Sequence, residues 1–327
     1  MAAGLAAIAV ATTLGLVVGP VNLPVGSVVR ELAGQSSDLS NQEQAILWQI
    51  RLPRVVLGLL VGATLALAGA SYQGVFRNPL ADPYLLGAAS GAGLGVTIAI
   101  VGRADGTSVP LSAPVAAFVG ALVAVALTYV LGAAGGTRAS TASLILAGVA
   151  VASFLTASQT YLQQRHRDTL QQVYSWILGR LSTVGWREVA IMVPYFAIAA
   201  VVLLAQRRTL DVLAVGDDEA RTLGLHARRS RIVVVVAASL GTAAAVSVSG
   251  LIGFVGIIVP HTIRLVAGAS YRVILPLSVL FGAAFLVLAD LAARTLSSPA
   301  EIPIGVVTAF FGAPFFVLVL RTSKRVS

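Results

Sequence analysis

Ionisable side chains that could act together are few in this chain, and most of them are arginines. Arg51 and Arg54 flank Pro53 at a spacing of three, which places both on one helix face. Asp290 and Arg294 stand four apart, the spacing of an ion pair within one helix. His261 follows Pro260, with Arg264 one turn later. The segment from 211 to 229 gathers Asp217, Asp218 and Glu219, then Arg221, Arg228 and Arg229. These groups can recognise charge or tie elements together, but they form no nucleophile–base pair. Cysteine is absent, which removes disulfides and thiolate metal sites. The single lysine, Lys324, sits at the tail, and no Gly-x-x-x-x-Gly-Lys-Ser/Thr loop occurs. The chain therefore cannot bind and hydrolyse ATP by that route. We expect no catalytic residue, no metal and no cofactor of its own.

The elements that carry these residues are membrane spans. Hydrophobic residues make up 57% of the 327, charged residues 11%, and mean hydropathy is +0.91. A soluble domain would carry about a quarter charged residues, and a membrane β-barrel would show short alternating segments. The reading is an all-α polytopic membrane protein in one domain, 1–327, with about ten transmembrane helices. Apolar stretches fall near 2–19, 55–74, 85–101, 112–133, 142–162, 189–206, 231–248, 273–293 and 302–320, each near the length a bilayer requires. The tenth, 250–266, is interrupted by Pro260, His261 and Arg264 and reads as short or broken. The first stretch lacks a basic leader and is expected to be retained as a span.

The formal charge of +9 does not form a nucleic-acid-binding stripe. With the N-terminus inside, thirteen basic residues fall on the cytoplasmic side and nine outside, the bias that sets orientation. Both termini are then cytoplasmic, and the dense cluster from Arg221 to Arg231 lies inside. The segment between Arg165 and Arg187, with its two tryptophans and a tyrosine, reads as a short helix at the external interface.

Several features admit a plain and a functional reading. Arg51 and Arg54 either snorkel at a span end or stand exposed to meet carboxylates of an acidic partner. The run from Ser71 to Pro83 is either a tight turn or a constriction near a pathway exit, since its prolines and Asn78 break the helix. Gly87, Gly91, Gly93 and Gly95 read as close helix packing, not as a nucleotide loop. Asp290 pairs within its helix with Arg294, and His261 reads as structural. The 211–229 insert has acids first and arginines last, as a short helix prefers. Gly224 is placed to end that helix, and Leu223 and Leu225 are apolar knobs that a partner's groove would bury.

The chain resembles, along nearly its whole length, the FecCD-type permeases of bacterial ABC importers for iron chelates, haem and vitamin B12. The resemblance rests on IRLPRVVLGLLVGATLALAG, YQGVFRNPLADPYLLG and SWILGRLSTVGW, then on AVGDDEARTLGL, GLIGFVGIIVPHTIRL and ADLAARTLSSPAEIPIGVVTAFFGAPFF, in that order. It implies a permease in the bacterial cytoplasmic membrane, paired with a second copy of itself or a close paralogue. Two cytoplasmic ATPase subunits would hold the ATP and Mg, and an external substrate-binding protein would deliver the cargo. The family's docking arginines fall on Arg51, Arg54 and Arg294. Its gates fall on Asn78 and Leu80 and on Ser140 and Thr141. Its ATPase-coupling helices fall on about 211–230, with Asp217, Asp218, Glu219, Ala220, Arg221, Leu223, Gly224 and Leu225.

Cargo is read from the external end of the fifth span, where Gln159, Gln163, Gln164, Arg165, His166 and Arg167 cluster. Arginines there favour an anionic iron chelate or haem over neutral cobalamin, which is the alternative. Ser143, Ser153, Thr156 and Ser158 suit a weakly binding pathway wall or plain helix packing. A gradient-driven secondary transporter would need more buried acids than this chain holds. A structural scaffold would leave the broken helix and the polar insert unexplained.

Overall fold

A computed structural model describes residues 1–102, 112–133, 141–181, 185–298 and 300–323. Among them every regular element is helical. The order is α1 (Ala2–Val17), α2 (Val25–Leu32), α3 (Asn41–Ala45), α4 (Leu52–Phe76), α5 (Ala88–Val101), α6 (Ala113–Ala133), α7 (Thr141–Arg165), α8 (Leu170–Ile177) and α9 (Arg187–Ala205). It continues with α10 (Arg207–Val215), α11 (Asp217–Thr222), α12 (Ala227–Ser249), α13 (Val255–Ala267), α14 (Tyr271–Thr295) and α15 (Ile304–Ser323). Six helices are long and apolar enough to cross a membrane, and the chain is a multi-pass membrane protein. Four more are apolar but shorter: Ala2–Val17, Ala88–Val101, Val255–Ala267 and Ile304–Val317.

The longest helical run spans Asn41–Phe76. Ser40 opens it with a capping box: its Oγ accepts from the Glu43 amide, and the Glu43 carboxylate accepts from the Ser40 amide at 2.8 Å. That exchange satisfies two amides left without helical partners. A π-helical turn at Ile46–Arg51 joins α3 to α4. In α4, 21 of 25 residues are buried, so this helix is the axis of the bundle.

Small residues let neighbours reach that axis. A Cβ on Gly62 would lie 2.2 Å from the Gly282 carbonyl of α14, and one on Gly69 would lie 2.1 Å from the Gly256 carbonyl of α13. Thr64 meets Gly241 of α12, and the Tyr72 hydroxyl bonds Ser239 Oγ of α12 at 2.6 Å. Beside this group stands a second layer of α5, α6 and α7. The glycines of α5 act there as packing surfaces: Gly91 meets the Gly120 carbonyl and Gly95 the Ala116 carbonyl. Contact at van der Waals range is what holds helices together where lipid removes the hydrophobic drive.

The expected short or broken tenth segment is observed as a non-helical stretch, 250–254, followed by the short helix α13, and the ends of that stretch sit at positive φ (Gly250 at 69°, Phe254 at 68°). The segment between Arg165 and Arg187 carries α8, a short helix with one buried face, while Tyr174 is 53% and Trp186 43% exposed. Val173 and Trp176 of α8 are buried. A Cβ on Gly250 would lie 2.2 Å from the Trp176 carbonyl, and Leu181 packs beside Gly58 of α4. α8 therefore packs one face on the bundle and leaves Gln171, Tyr174 and Ser175 exposed.

Substituting Gly69 by leucine should prevent α13 from reaching α4 and cost at least about 3 kcal/mol, the upper range of an overpacked core. Thermal unfolding of the purified chain in detergent would check this, and an unchanged midpoint would refute the close-approach account.

Candidate functional site

Three regions could carry function: the two ends of the α4–α14 pair, and a cavity on α7. At the first end the three sequence-selected arginines come together. All are buried, with Arg51 3%, Arg54 8% and Arg294 4% exposed, so the expectation of an exposed arginine rim is not met. Arg51 donates from Nη1 to the carbonyls of Leu16 and Val17 at 2.7 and 2.8 Å, and from Nη2 to that of Val21. It thus satisfies the carbonyls left open at the end of α1, where a cation also suits the helix dipole.

Arg54 holds two carboxylates at once. Its Nη2 lies 2.8 Å from Asp290 Oδ1, and its Nη1 and Nη2 reach Glu301 at 2.9 and 3.0 Å. The expected partner of Asp290 was Arg294, yet that pair is loose, at 3.7 Å. Arg294 instead donates to the Gly15 carbonyl of α1. Helical spacing exposes the i,i+4 pair to sequence reading, whereas the closer partner is 236 residues away. Glu301 is the open member, its side chain 47% exposed. The hydrogen bonds from Arg54 hold its carboxyl below the usual carboxylate range.

At the far end of α4 the helix closes with Arg77 in the left-handed region. Asn78 Oδ1 accepts from the Leu80 amide at 3.0 Å, and the Asn78 carbonyl accepts from the Ala81 amide at 3.0 Å. Asn78 thus closes a side-chain-stabilised turn, and Leu80 is half-buried. Ser140 lies outside the described residues, as do the side chains of Thr141, Asp217 and Asp218.

The polar insert lies at this same end. Leu210 of α10 sits against Gly74, late in α4. The insert takes in the second half of α10 and all of α11, the short helix expected to begin at the acids and end before Gly224. Leu225 N–H bonds the Ala220 carbonyl and Gly224 N–H the Arg221 carbonyl, both at 2.9 Å, with Gly224 at φ 75°. Nested bonds of this kind around a left-handed glycine end a helix, as the sequence predicts. Ala220 is buried and Leu225 packs on the core, while Leu223, Glu219 and Arg221 are exposed. Of the two expected knobs, Leu223 alone faces outward.

The cavity, of about 400 Å³, opens between α7, α8 and the start of α5. Thr156, Gln159, Thr160 and Gln163 of α7 face Tyr84, Ser90 and Tyr174 across it. It continues along α7 past Ser153, Tyr161 and Gln164. Tyr84 fixes one wall: its hydroxyl donates to the Ile252 carbonyl at 3.0 Å and accepts from the Ile252 amide at 3.2 Å. That bond supplies partners to extended backbone buried within the bundle. Gly93 leaves room for the Gln159 amide, whose Oε1 would be 2.7 Å from a Cβ there. The lining contains three tyrosines, Tyr84, Tyr161 and Tyr174, and no Asp, Glu, Lys, Arg or His. Arg165, His166 and Arg167 are exposed; none is a lining residue, but Arg165 stands at the margin, donating to the Tyr161 hydroxyl at 3.3 Å and lying over its ring at 5.7 Å. Sequence reasoning selected Ser153, Thr156, Gln159, Gln163 and Gln164, all of which line it, but Tyr84 and Tyr174 come from elements whose approach only the fold reveals.

Comparison with known proteins agrees with this architecture. The profile of the FecCD transport family matches residues 7–322. A cobalamin import system permease of Halobacterium salinarum is 44% identical over 85% of this chain and 74% of its own length. A vitamin B12 import system permease of Klebsiella pneumoniae is 40% identical, covering 88% and 85%. An uncharacterised ABC transporter permease of Bacillus subtilis is 40% identical, covering 98% and 93%. Among solved structures, an ABC transporter described as of metal-chelate type, in an inward-facing conformation, superposes with a TM-score of 0.86. It is 30% identical and covers 98% of both chains.

Removing the shared carboxylate should be the costlier change in the buried network. Asp290→Asn leaves buried guanidinium charge uncompensated and should cost about 3–5 kcal/mol, whereas Glu301→Gln, half in solvent, should cost less than about 1 kcal/mol. Since the Glu301 carboxyl is held low, its contribution is complete above its ordinary pKa of about 4.3 and fades as pH falls through its lowered value. Detergent-phase unfolding of both variants against pH checks the order and the sign.

Proposed function

This chain belongs to the FecCD transport family, and on that premise we propose that it is the membrane-spanning subunit of an ATP-driven importer of a corrinoid of the vitamin B12 type. The observation that carries the cargo is the uncharged cavity. Its walls are hydroxyls, carboxamides and tyrosine rings, which suit a bulky, neutral, amide-rich ligand passing without tight capture. A ferric chelate or haem, bearing carboxylates, would draw on cations, and the one at the margin, Arg165, is engaged with the hydroxyl and ring of Tyr161. The curated relatives named as cobalamin and vitamin B12 permeases support the same choice. The second reading, an anionic iron chelate, is favoured by exposed Arg165 and Arg167 just beyond the cavity.

In this proposal the Arg51 end faces outward and the insert faces the cytoplasm, as the basic-residue bias suggests. Cargo enters along α7 and leaves past a constriction at Asn78 and Leu80, with Ser140 and Thr141 as the second pair of gate residues that the family resemblance implies. A second copy of the chain covers the polar α7 face, because hydroxyls and carboxamides at membrane depth need partners or water. Two ATPase subunits seat against the segment about 211–230, with Leu223 entering a groove and Glu219 and Arg221 at its margin. An external binding protein docks at the Arg51, Arg54 and Arg294 end. Since these arginines already hold internal partners, an incoming carboxylate must exchange with one, and Glu301 is the exposed one.

In proteoliposomes with the ATPase and binding protein, labelled cobalamin should accumulate on ATP addition and ferric siderophore or haem should not compete. ATP-driven uptake of the chelate with no uptake of cobalamin would replace the cargo assignment with the second reading. Docking is tested separately: Glu301→Gln should strengthen capture of the binding protein by severalfold, because a competing internal carboxylate is neutralised. Unchanged affinity would remove Arg54 from the docking surface.

A further inference from the structure

Asp211, which precedes the acidic run, fastens the insert to the start of α14. Its Oδ1 accepts the Tyr271 N–H at 2.5 Å, and its Oδ2 accepts from the Ser270 hydroxyl at 3.0 Å. The same oxygen lies 3.3 Å from Arg272 Nε. Ser270 is the residue that should cap α14, yet its side chain makes no cap bond within its own helix. A carboxylate from α10 supplies the cap instead, where both the open N–H groups and the helix dipole favour negative charge.

The contact is set in a packed junction. Leu210 and Leu213, flanking Asp211, are fully buried. A Cβ on Gly74 of α4 would lie 3.0 Å from both Leu210 Cδ2 and Tyr271 Cζ. Arg264 of α13 donates to the Tyr271 hydroxyl at 2.9 Å and lies over its ring at 5.2 Å. Helices α4, α10, α13 and α14 therefore converge on Tyr271. From there α14 runs about 28 Å, at 1.5 Å per residue, against α4 to Asp290. There it meets Arg54, and through Arg54 the Glu301 segment that leads into α15. Gly305, at the start of α15, donates to the Leu178 carbonyl just past α8, whose Tyr174 and Ile177 line the cavity.

We propose that Asp211 is the positioning residue that makes α10 and α14 one mechanical unit. Displacement of the insert by a bound ATPase is thereby delivered along α14 to the far ionic network and, through the 301–305 segment, to the cavity wall. This inference rests on the reading that the ATPase seats on about 211–230. The covalent route from α11 into α12 turns at left-handed Gly224, whereas the α10–α14 contact combines a charged cap with two buried leucines.

The test measures cargo taken up per ATP hydrolysed by the complete reconstituted importer, using labelled cobalamin. Asp211→Ala should leave assembly and hydrolysis in place and lower that ratio about tenfold, the size of effect a lost cap can have. Asp211→Asn, which keeps an acceptor for the Tyr271 N–H, should stay within about threefold of wild type, its deficit being that of the lost charge at the helix end. A double substitution at exposed sites, Ser270→Ala with Arg272→Gln, removes two partners from the outer side and should lower the ratio severalfold. A purely structural role would lower uptake and hydrolysis in parallel and leave the ratio unchanged, which would overturn the proposal. Leu223→Arg separates it from its premise. If that variant still assembles fully and transports, the docking reading itself fails. If it loses the ATPase while Asp211→Ala keeps the wild-type ratio, the mechanical assignment alone fails.

Discussion

Backbone-to-backbone approach along α4 is the constraint on which the remaining structure depends. Gly62 admits the Gly282 carbonyl of α14, and Gly69 admits that of Gly256 in α13. Because lipid offers no hydrophobic drive between helices, this range of contact is the main source of cohesion. It also decides where α13 begins. With Gly256 held against Gly69, the preceding residues 250–254 must cross from α12 as extended backbone inside the bundle. Their polar groups then need partners within the protein, and Tyr84 supplies two at Ile252. The wall of the cavity is thus a consequence of glycine packing on α4.

The same pairing of α4 with α14 determines where charge can be buried. Asp290 and Arg54 sit on these two helices, and their close approach brings a carboxylate within 2.8 Å of a guanidinium. Such a pair must recover a desolvation cost of several kcal/mol per ion through good geometry. Here Arg54 reaches two carboxylates, and Arg51 and Arg294 are turned to the open carbonyls of α1. The other end of α14 is also closed by a charge from elsewhere, Asp211. Both ends of one helix are therefore held by side chains of other elements, which makes α14 the member most constrained along its length.

Much of this was legible in the sequence, in so far as it was local. Apolar length revealed the spans, Gly224 revealed the end of α11, and the α5 glycines read correctly as packing surfaces. What escaped is non-local. Nothing in the spacing of Asp290 points to Arg54, because an i,i+4 arginine stands nearer in sequence and offers a sufficient partner. Asp211 precedes the conspicuous acids at 217–219 and looks like an ordinary polar position on an amphipathic helix. Its role exists only because the chain returns 60 residues later with an uncapped helix. The aromatic residues around α8 signal a mixed environment but not the neighbours they meet, and those neighbours are what put Tyr174 and Ile177 on the cavity.

The distribution of charge also bears on how such a chain can move a large ligand. Fixed ionic contacts are concentrated at the two ends of α14, whereas the cavity on α7 is neutral. A passage that bound its cargo strongly would shift toward whichever conformation bound it best and release it slowly. Hydroxyls and carboxamides exchange with water at little net cost, so a wall of Thr156, Thr160, Gln159 and Gln163 favours neither conformation strongly. The energy that selects between conformations must then enter elsewhere, through contacts that do discriminate. In this fold the charged ends of α14 are such contacts, and they lie off the path that the cargo would follow.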